Sequence, residues 1–102
     1  MVVLRSGYVK VSGVYTKMRK VLNAVAMSKR RDYIERLNKF ASELNKYMFD
    51  LFNERGYSKD DVVYIEMEFD PLEIRADKMK VRVYKQVDEF EVEPNIEEVG
   101  EE

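Results

Sequence analysis

The sequence predicts an α+β domain, an antiparallel sheet covered on one face by two helices, the second long, in the order strand, helix, helix, strand, strand. Three observations carry this. Ile34, Leu37, Ala41, Leu44, Met48 and Leu51 recur at alternating spacings of three and four within residues 29–55, the period of a core-facing helix. Val63, Ile65, Met67 and Phe69 alternate with Tyr64, Glu66, Glu68 and Asp70, the period of a half-buried strand. Met79, Val81 and Val83 alternate with Lys80, Arg82 and Tyr84 in the same way.

In chain order, Val2 to Ser12 is the first strand, with Val9 and Val11 facing one way and Tyr8 and Lys10 the other. Gly7 inside it marks a bulge or a close backbone approach, and Gly13 ends it. A helix is expected from Tyr15 to Met27, burying Met18, Val21, Leu22 and Val25 and leaving Lys17, Arg19 and Lys20 off the stripe. The long helix follows, with Ser28 as its N-cap and Gly56 as a left-handed stop. Tyr33, Phe40 and Tyr47 widen its stripe. Phe52 falls on the edge of the stripe and Phe49 outside it, which predicts a second apolar surface and a homo-oligomer, dimer or tetramer.

Tyr57 to Asp61 is a turn, and Asp70-Pro71 ends the next strand because proline cannot donate to the ladder. The inward faces of Val62–Asp70 and Met79–Lys85 match when paired residue numbers add to an even number. A sum of 148 sets Glu68 opposite Lys80, Glu66 opposite Arg82 and Tyr64 opposite Tyr84. A single domain is expected over residues 1–87, followed by an acidic tail over 88–102.

The chain of 102 residues suits one domain with a modest core. No apolar run is long enough for a membrane-spanning helix, and Arg5 and Lys10 interrupt the N-terminal apolar stretch. A cytoplasmic protein without a signal peptide or membrane partner is therefore expected. The high charged fraction, the absence of cysteine and the single glutamine, Gln86, point to a hyperthermophile. The net charge of −2 conceals a strong asymmetry: residues 1–31 hold eight bases and no acid, and residues 86–102 hold eight acids and no base. Such a division suits an anionic partner at one end and a solvating tail at the other.

Catalysis is poorly served. Neither histidine nor cysteine is present, so the usual proton shuttles, thiol nucleophiles and thiolate metal sites are missing. Glu66, Glu68 and Asp70 share a strand face, but Lys80 and Arg82 opposite them make an ion-paired surface the simpler expectation than a metal site. The four glycines are scattered and form no phosphate cradle. No enzyme, cofactor or metal is expected.

Nucleic-acid binding fits better. Arg5, Tyr8, Lys10, Tyr15, Lys17, Arg19, Lys20, Arg30, Arg31 and Tyr33 interleave cations for a phosphate track with rings for base stacking. Composition leaves a second reading open, in which the basic end docks an acidic protein surface within an oligomeric interaction module.

Gly7-Tyr8-Val9, then Gly13, Tyr15, Lys17, Met18, Arg19 and Lys20, resemble the opening of ThermoDBP and the ThermoDBP-related proteins, archaeal single-stranded DNA-binding proteins without an OB fold. The resemblance extends through the Glu43-Leu44-Asn45 step of the long helix and the Val62-Val63 strand after Asp60-Asp61, covering about residues 4–86. It implies a homo-oligomeric α+β domain that binds single-stranded DNA without sequence preference. The chain departs from full-length ThermoDBP in having no C-terminal leucine-zipper segment. A shorter related protein is the closer likeness, and members of that group differ in how well they bind DNA. Stacking and phosphate contacts serve single-stranded RNA as well as DNA.

Overall fold

The computed structural model describes residues 1–96 and has the expected order: β1 (Val2–Lys10), a 3-10 turn (Val11–Gly13), α1 (Val14–Ala24), α2 (Arg31–Glu54), β2 (Val62–Asp70) and β3 (Arg75–Tyr84). The three strands form one antiparallel sheet in the order β1-β2-β3. Both helices cover the same face. Leu4 of β1, Met18 and Leu22 of α1, Leu37 and Met48 of α2, and the β2 row Val63, Ile65, Met67 and Phe69 meet in the core. The Phe40 and Phe69 rings, 5.3 Å apart, join α2 to the central strand. Among the described residues the other sheet face carries no helix.

The expected bulge lies at Ser6–Gly7. Pairing with β2 shifts between Arg5, which faces Glu66, and Tyr8, which faces Tyr64. Gly7 takes φ +69°, a left-handed conformation. The buried Ser6 hydroxyl accepts the Ile65 N–H at 2.8 Å and donates to the Gly7 carbonyl at 2.6 Å, satisfying an amide that the broken ladder would leave unpaired.

The long helix ends as its sequence indicates. Gly56 has φ +73°, its N–H reaches the Asn53 carbonyl at 3.1 Å, and the Tyr57 N–H reaches that of Phe52 at 3.0 Å. This is a Schellman motif, closed by the Phe52 and Tyr57 rings at 6.1 Å. At the other end the cap position belongs to Arg30, and Ser28 lies outside the helix, its hydroxyl accepting the Arg30 N–H at 3.0 Å.

Two aromatics on α2 are corrected. Tyr33 and Phe52, expected at the margin of the stripe, are buried at 9% and 3% exposure, whereas Ile34 and Leu51 are only half-buried. The apolar stripe repeats every seven residues, and a straight helix drifts from such a repeat by about 20° per heptad. Over a helix of 24 residues the drift brings the neighbouring aromatics as close to the core as the stripe residues at each end. Phe49 stays outside at 65% exposure.

The β2–β3 register is also corrected. The structure pairs Glu66 with Lys80, Tyr64 with Arg82 and Val62 with Tyr84, a sum of 146 rather than 148. The slip is two residues, so every side chain keeps its face. β3 begins at Arg75 rather than Met79, because Asp70 to Ile74 form a tight hairpin with a register shift after Met67. Asp70 Oδ1 accepts the Leu72 and Glu73 N–H groups at 3.0 and 3.3 Å. Ile74 adopts φ 55°, a strained conformation for a β-branched residue, with its side chain packed on the core. From Lys85 to 96 the chain is exposed and carries no regular structure. The remainder of the expected tail, 97–102 with Val99, lies outside the described residues.

Ser6→Ala should destabilise the fold by about 1–3 kcal/mol, since the buried Ile65 amide loses its acceptor. A urea unfolding midpoint measures this directly. Gly7→Ala should also destabilise, through backbone strain alone, because open space surrounds the position where the new methyl would sit.

Candidate nucleic-acid interface

The bulge decides what stands on the uncovered face. Strict alternation from Leu4 and Ser6, which point inward, would send Tyr8 into the core. One extra residue reverses the parity beyond Gly7, so Tyr8 and Lys10 join Arg5 on the open side and Val9 packs inward. Tyr8 is 71% exposed.

The two neighbouring strands bring partners to it. The Tyr8 ring lies 5.0 Å from Tyr64 and 5.4 Å from Tyr84, both edge-on, which makes a cluster spanning all three strands. The Arg82 guanidinium sits over Tyr64 at 5.6 Å. One step along the strands, Glu66 takes Arg5 at 3.1 Å and Arg82 at 3.4 Å. Beyond it a shallow groove of about 740 Å³ is bordered by Val3, Arg5, Glu68, Lys78 and Lys80. Lys78 and Lys80 have no ion-pair partner among the described residues. Along the face five bases (Arg5, Lys10, Lys78, Lys80, Arg82) thus stand against Glu66 and Glu68, with Asp70 at the end of the same β2 face engaged by the hairpin amides. Among the described residues the open face is positive although the chain is not.

Partial loss of water, and then the neighbouring Tyr8 hydroxyl, raise the Tyr84 phenol above its ordinary value of 10.0, so it is neutral at physiological pH. Lys85 continues the ladder's line, its ammonium 2.7 Å from Asp61 and 5.1 Å from the Tyr57 ring centre.

The residues singled out in the sequence do not all gather here. Arg5, Tyr8 and Lys10 do. Lys17, Arg19 and Lys20 project from α1 in the helical layer, where Arg19 lies over the half-buried Tyr15 at 5.8 Å. Arg30 and Arg31 start α2 and pair with Asp32 at 3.7 Å and Glu35 at 3.3 Å. Tyr33 is removed from the stacking set. It is buried, its hydroxyl donating to the Pro71 carbonyl at 2.6 Å and accepting the Met27 N–H at 3.1 Å, so it ties the helix junction to the β2–β3 hairpin. Tyr64, Tyr84, Lys78, Lys80 and Arg82 are the additions. Their signal was the outward set of each alternating strand, which carries tyrosines and bases that only strand pairing brings beside Tyr8.

Fold and surface together define a two-layer α+β domain with an open antiparallel sheet whose bare face is basic and tyrosine-rich. The chain is similar to the crystal structure of pfuThermo-DBP-RP1 (crystal form II), with a TM-score of 0.70 and 34% identity over 82% of this chain and 58% of that one. The chain therefore spans less than two thirds of that relative. No protein-family model matches it, and no curated protein is significantly similar. Among the described residues no helix is long and apolar enough to cross a membrane.

The Lys85 hydrogen bond, supported by the Ser58 N–H, holds the Asp61 carboxyl below its ordinary 3.8. A depressed folded-state value contributes stability above the unfolded value and loses it as pH falls through the folded one. Wild type should therefore melt higher than Asp61→Asn at pH 6, and the gap should close as the pH is taken below about 3.8. Thermal melts across pH 6 to 2 read this.

Proposed function

We propose that this chain binds single-stranded DNA without sequence preference, and that it is a ThermoDBP-related protein of a hyperthermophilic archaeon acting in the cytoplasm. The tyrosine cluster of Tyr8, Tyr64 and Tyr84 on an open, positively charged sheet face carries the reading. Exposed rings on a sheet surface are a recurrent platform for unstacked bases, and each stacked base contributes roughly 1–3 kcal/mol. Flanking cations neutralise phosphates. Ring stacking and phosphate neutralisation carry no sequence information of their own, in keeping with a sequence-tolerant binder. The name of the similar structure, pfuThermo-DBP-RP1, is that of a DNA-binding protein and supports the same reading.

In this reading residues 1–87 are the binding domain and 88–102 an acidic tail. A dimer or tetramer would set several basic N-terminal ends together and lengthen the phosphate track. Chemically the face also suits single-stranded RNA, and duplex is disfavoured because its bases are already stacked. The rival class is an oligomeric interaction module whose basic surface docks an acidic protein. Salt separates them, since phosphate neutralisation on single strands gives a log-affinity slope of about −0.7 per phosphate contacted.

Tyr8→Ala and Tyr64→Ala should each weaken binding about tenfold, with Tyr8→Phe close to wild type, as read by fluorescence anisotropy of a labelled single-stranded oligonucleotide. Lys80→Ala should flatten the salt slope by about 0.7. Combined replacement of Arg19, Lys20, Arg30 and Arg31 by Ala should have a smaller effect than combined replacement of Arg5, Lys10, Lys80 and Arg82. The opposite order would move the site to the helical layer. Deleting 88–102 should hold or raise DNA affinity, because the deletion takes away eight carboxylates that repel phosphate.

A further inference from the structure

The outer edge of β3 has no neighbouring strand among the described residues. Beneath that edge a mainly apolar groove of about 390 Å³ runs between α2 and β3, bounded by Phe40, Leu44, Tyr47, Leu51, Met79 and Val81, with the charged Glu43, Asp77 and Lys78 also lining it. Above it, on the open side, stand Lys78, Lys80 and Arg82. The edge thus has one apolar flank and one basic flank. A free, partly apolar edge of this kind is a template for strand addition.

One segment of the sequence has the complementary pattern. Glu89-Phe90-Glu91-Val92-Glu93 alternates without a break, and Pro94 follows it. As a strand, it would carry Phe90 and Val92 on one face and three carboxylates on the other. Paired antiparallel to β3 with residue numbers adding to 171, it sets Glu89, Glu91 and Glu93 opposite Arg82, Lys80 and Lys78. The same register sets Phe90 opposite Val81 and Val92 opposite Met79, over the groove. Each opposite-charge pair contributes roughly 0.2–1 kcal/mol, and the two apolar side chains supply most of the remaining stabilisation.

We infer that the β3 edge is the receiving site for residues 89–93 of a second copy of this chain, and that reciprocal exchange closes a two-fold dimer. The chain's own segment is a poor occupant. That register would need a two-residue turn at Lys85-Gln86, whose favoured forms call for Gly or Asn at positive φ. Lys85 is moreover held to Asp61 at 2.7 Å. In the structure the chain's own Phe90 and Val92 stand away from the body, 75% and 69% exposed. A partner's segment meets neither constraint, and the two-fold relation makes both contacts identical.

The chain has no cysteine, so single thiols can be introduced cleanly. Lys80→Cys and Glu91→Cys proteins are mixed and oxidised, with Asp50→Cys replacing Lys80→Cys as control. Expected is the mixed disulfide joining positions 80 and 91, identified by mass spectrometry of the linked peptides, and no mixed disulfide between 50 and 91 in the control, because only directly opposed residues are held within disulfide reach. In parallel, light scattering should give a doubled mass for the cysteine-free full chain and monomer mass for Val92→Lys. A monomer mass for the full chain, an internal disulfide in a Lys80→Cys/Glu91→Cys double variant, or a dimer that survives Val92→Lys each overturns the inference. DNA titration plays no part in these readouts, so the inference and the binding reading fail separately.

Discussion

One inserted residue in the first strand decides what this protein shows to solvent. At Ser6–Gly7 the ladder slips by one, and the Ser6 hydroxyl replaces a backbone partner for Ile65. Without that slip Tyr8 would point at the helices and Val9 at water, and the bare face would lose its central ring. The arrangement needs both residues. Glycine accepts the left-handed backbone, and a short hydroxyl side chain reaches the orphaned amide without filling the core. A local irregularity thereby couples the integrity of the core to the composition of the opposite surface.

A second tie works at the far side of the helical layer. The Tyr33 hydroxyl joins the α1–α2 junction to the β2–β3 hairpin, and Arg36 donates to the Glu73 carbonyl at 3.1 Å in the same turn. The hairpin that holds Ile74 at a positive φ is thus gripped by the first turns of α2. Strain of that kind persists only where surrounding contacts over-determine the backbone.

Most of the architecture could be read from periodicity. The order of elements, the β2 span, the Gly56 stop and the Gly7 bulge all follow from residues whose backbone or burial preferences are strong. What escaped was set by distance in space. The register was missed by two because parity alone fixes the face, and the Asp70–Ile74 turn, which sets the offset, carries a β-branched residue where glycine would have announced it. Tyr33 and Phe52 were misplaced because a seven-residue repeat does not track a straight helix. The surface was half legible. Arg5, Tyr8 and Lys10 lie in one basic stretch and were found together. Tyr64 lies far along the chain among acids that mask it, Arg82 and Tyr84 lie in a separate stretch whose bases the sequence sets against Glu66 and Glu68, and only the sheet brings all three to Tyr8.

The tyrosine cluster also gives the molecule its own optical label. The chain has seven tyrosines and no tryptophan, so tyrosine is its only strong ultraviolet emitter. Three of those seven meet within about 5.0–5.4 Å on the open face, while Tyr33 is enclosed and hydrogen-bonded at the helix junction. Events on the face therefore modulate emission and near-ultraviolet ellipticity without an added dye. Loosening of the core reports through a different ring. Surface occupancy and internal melting can thus both be followed through tyrosine in one unlabelled sample.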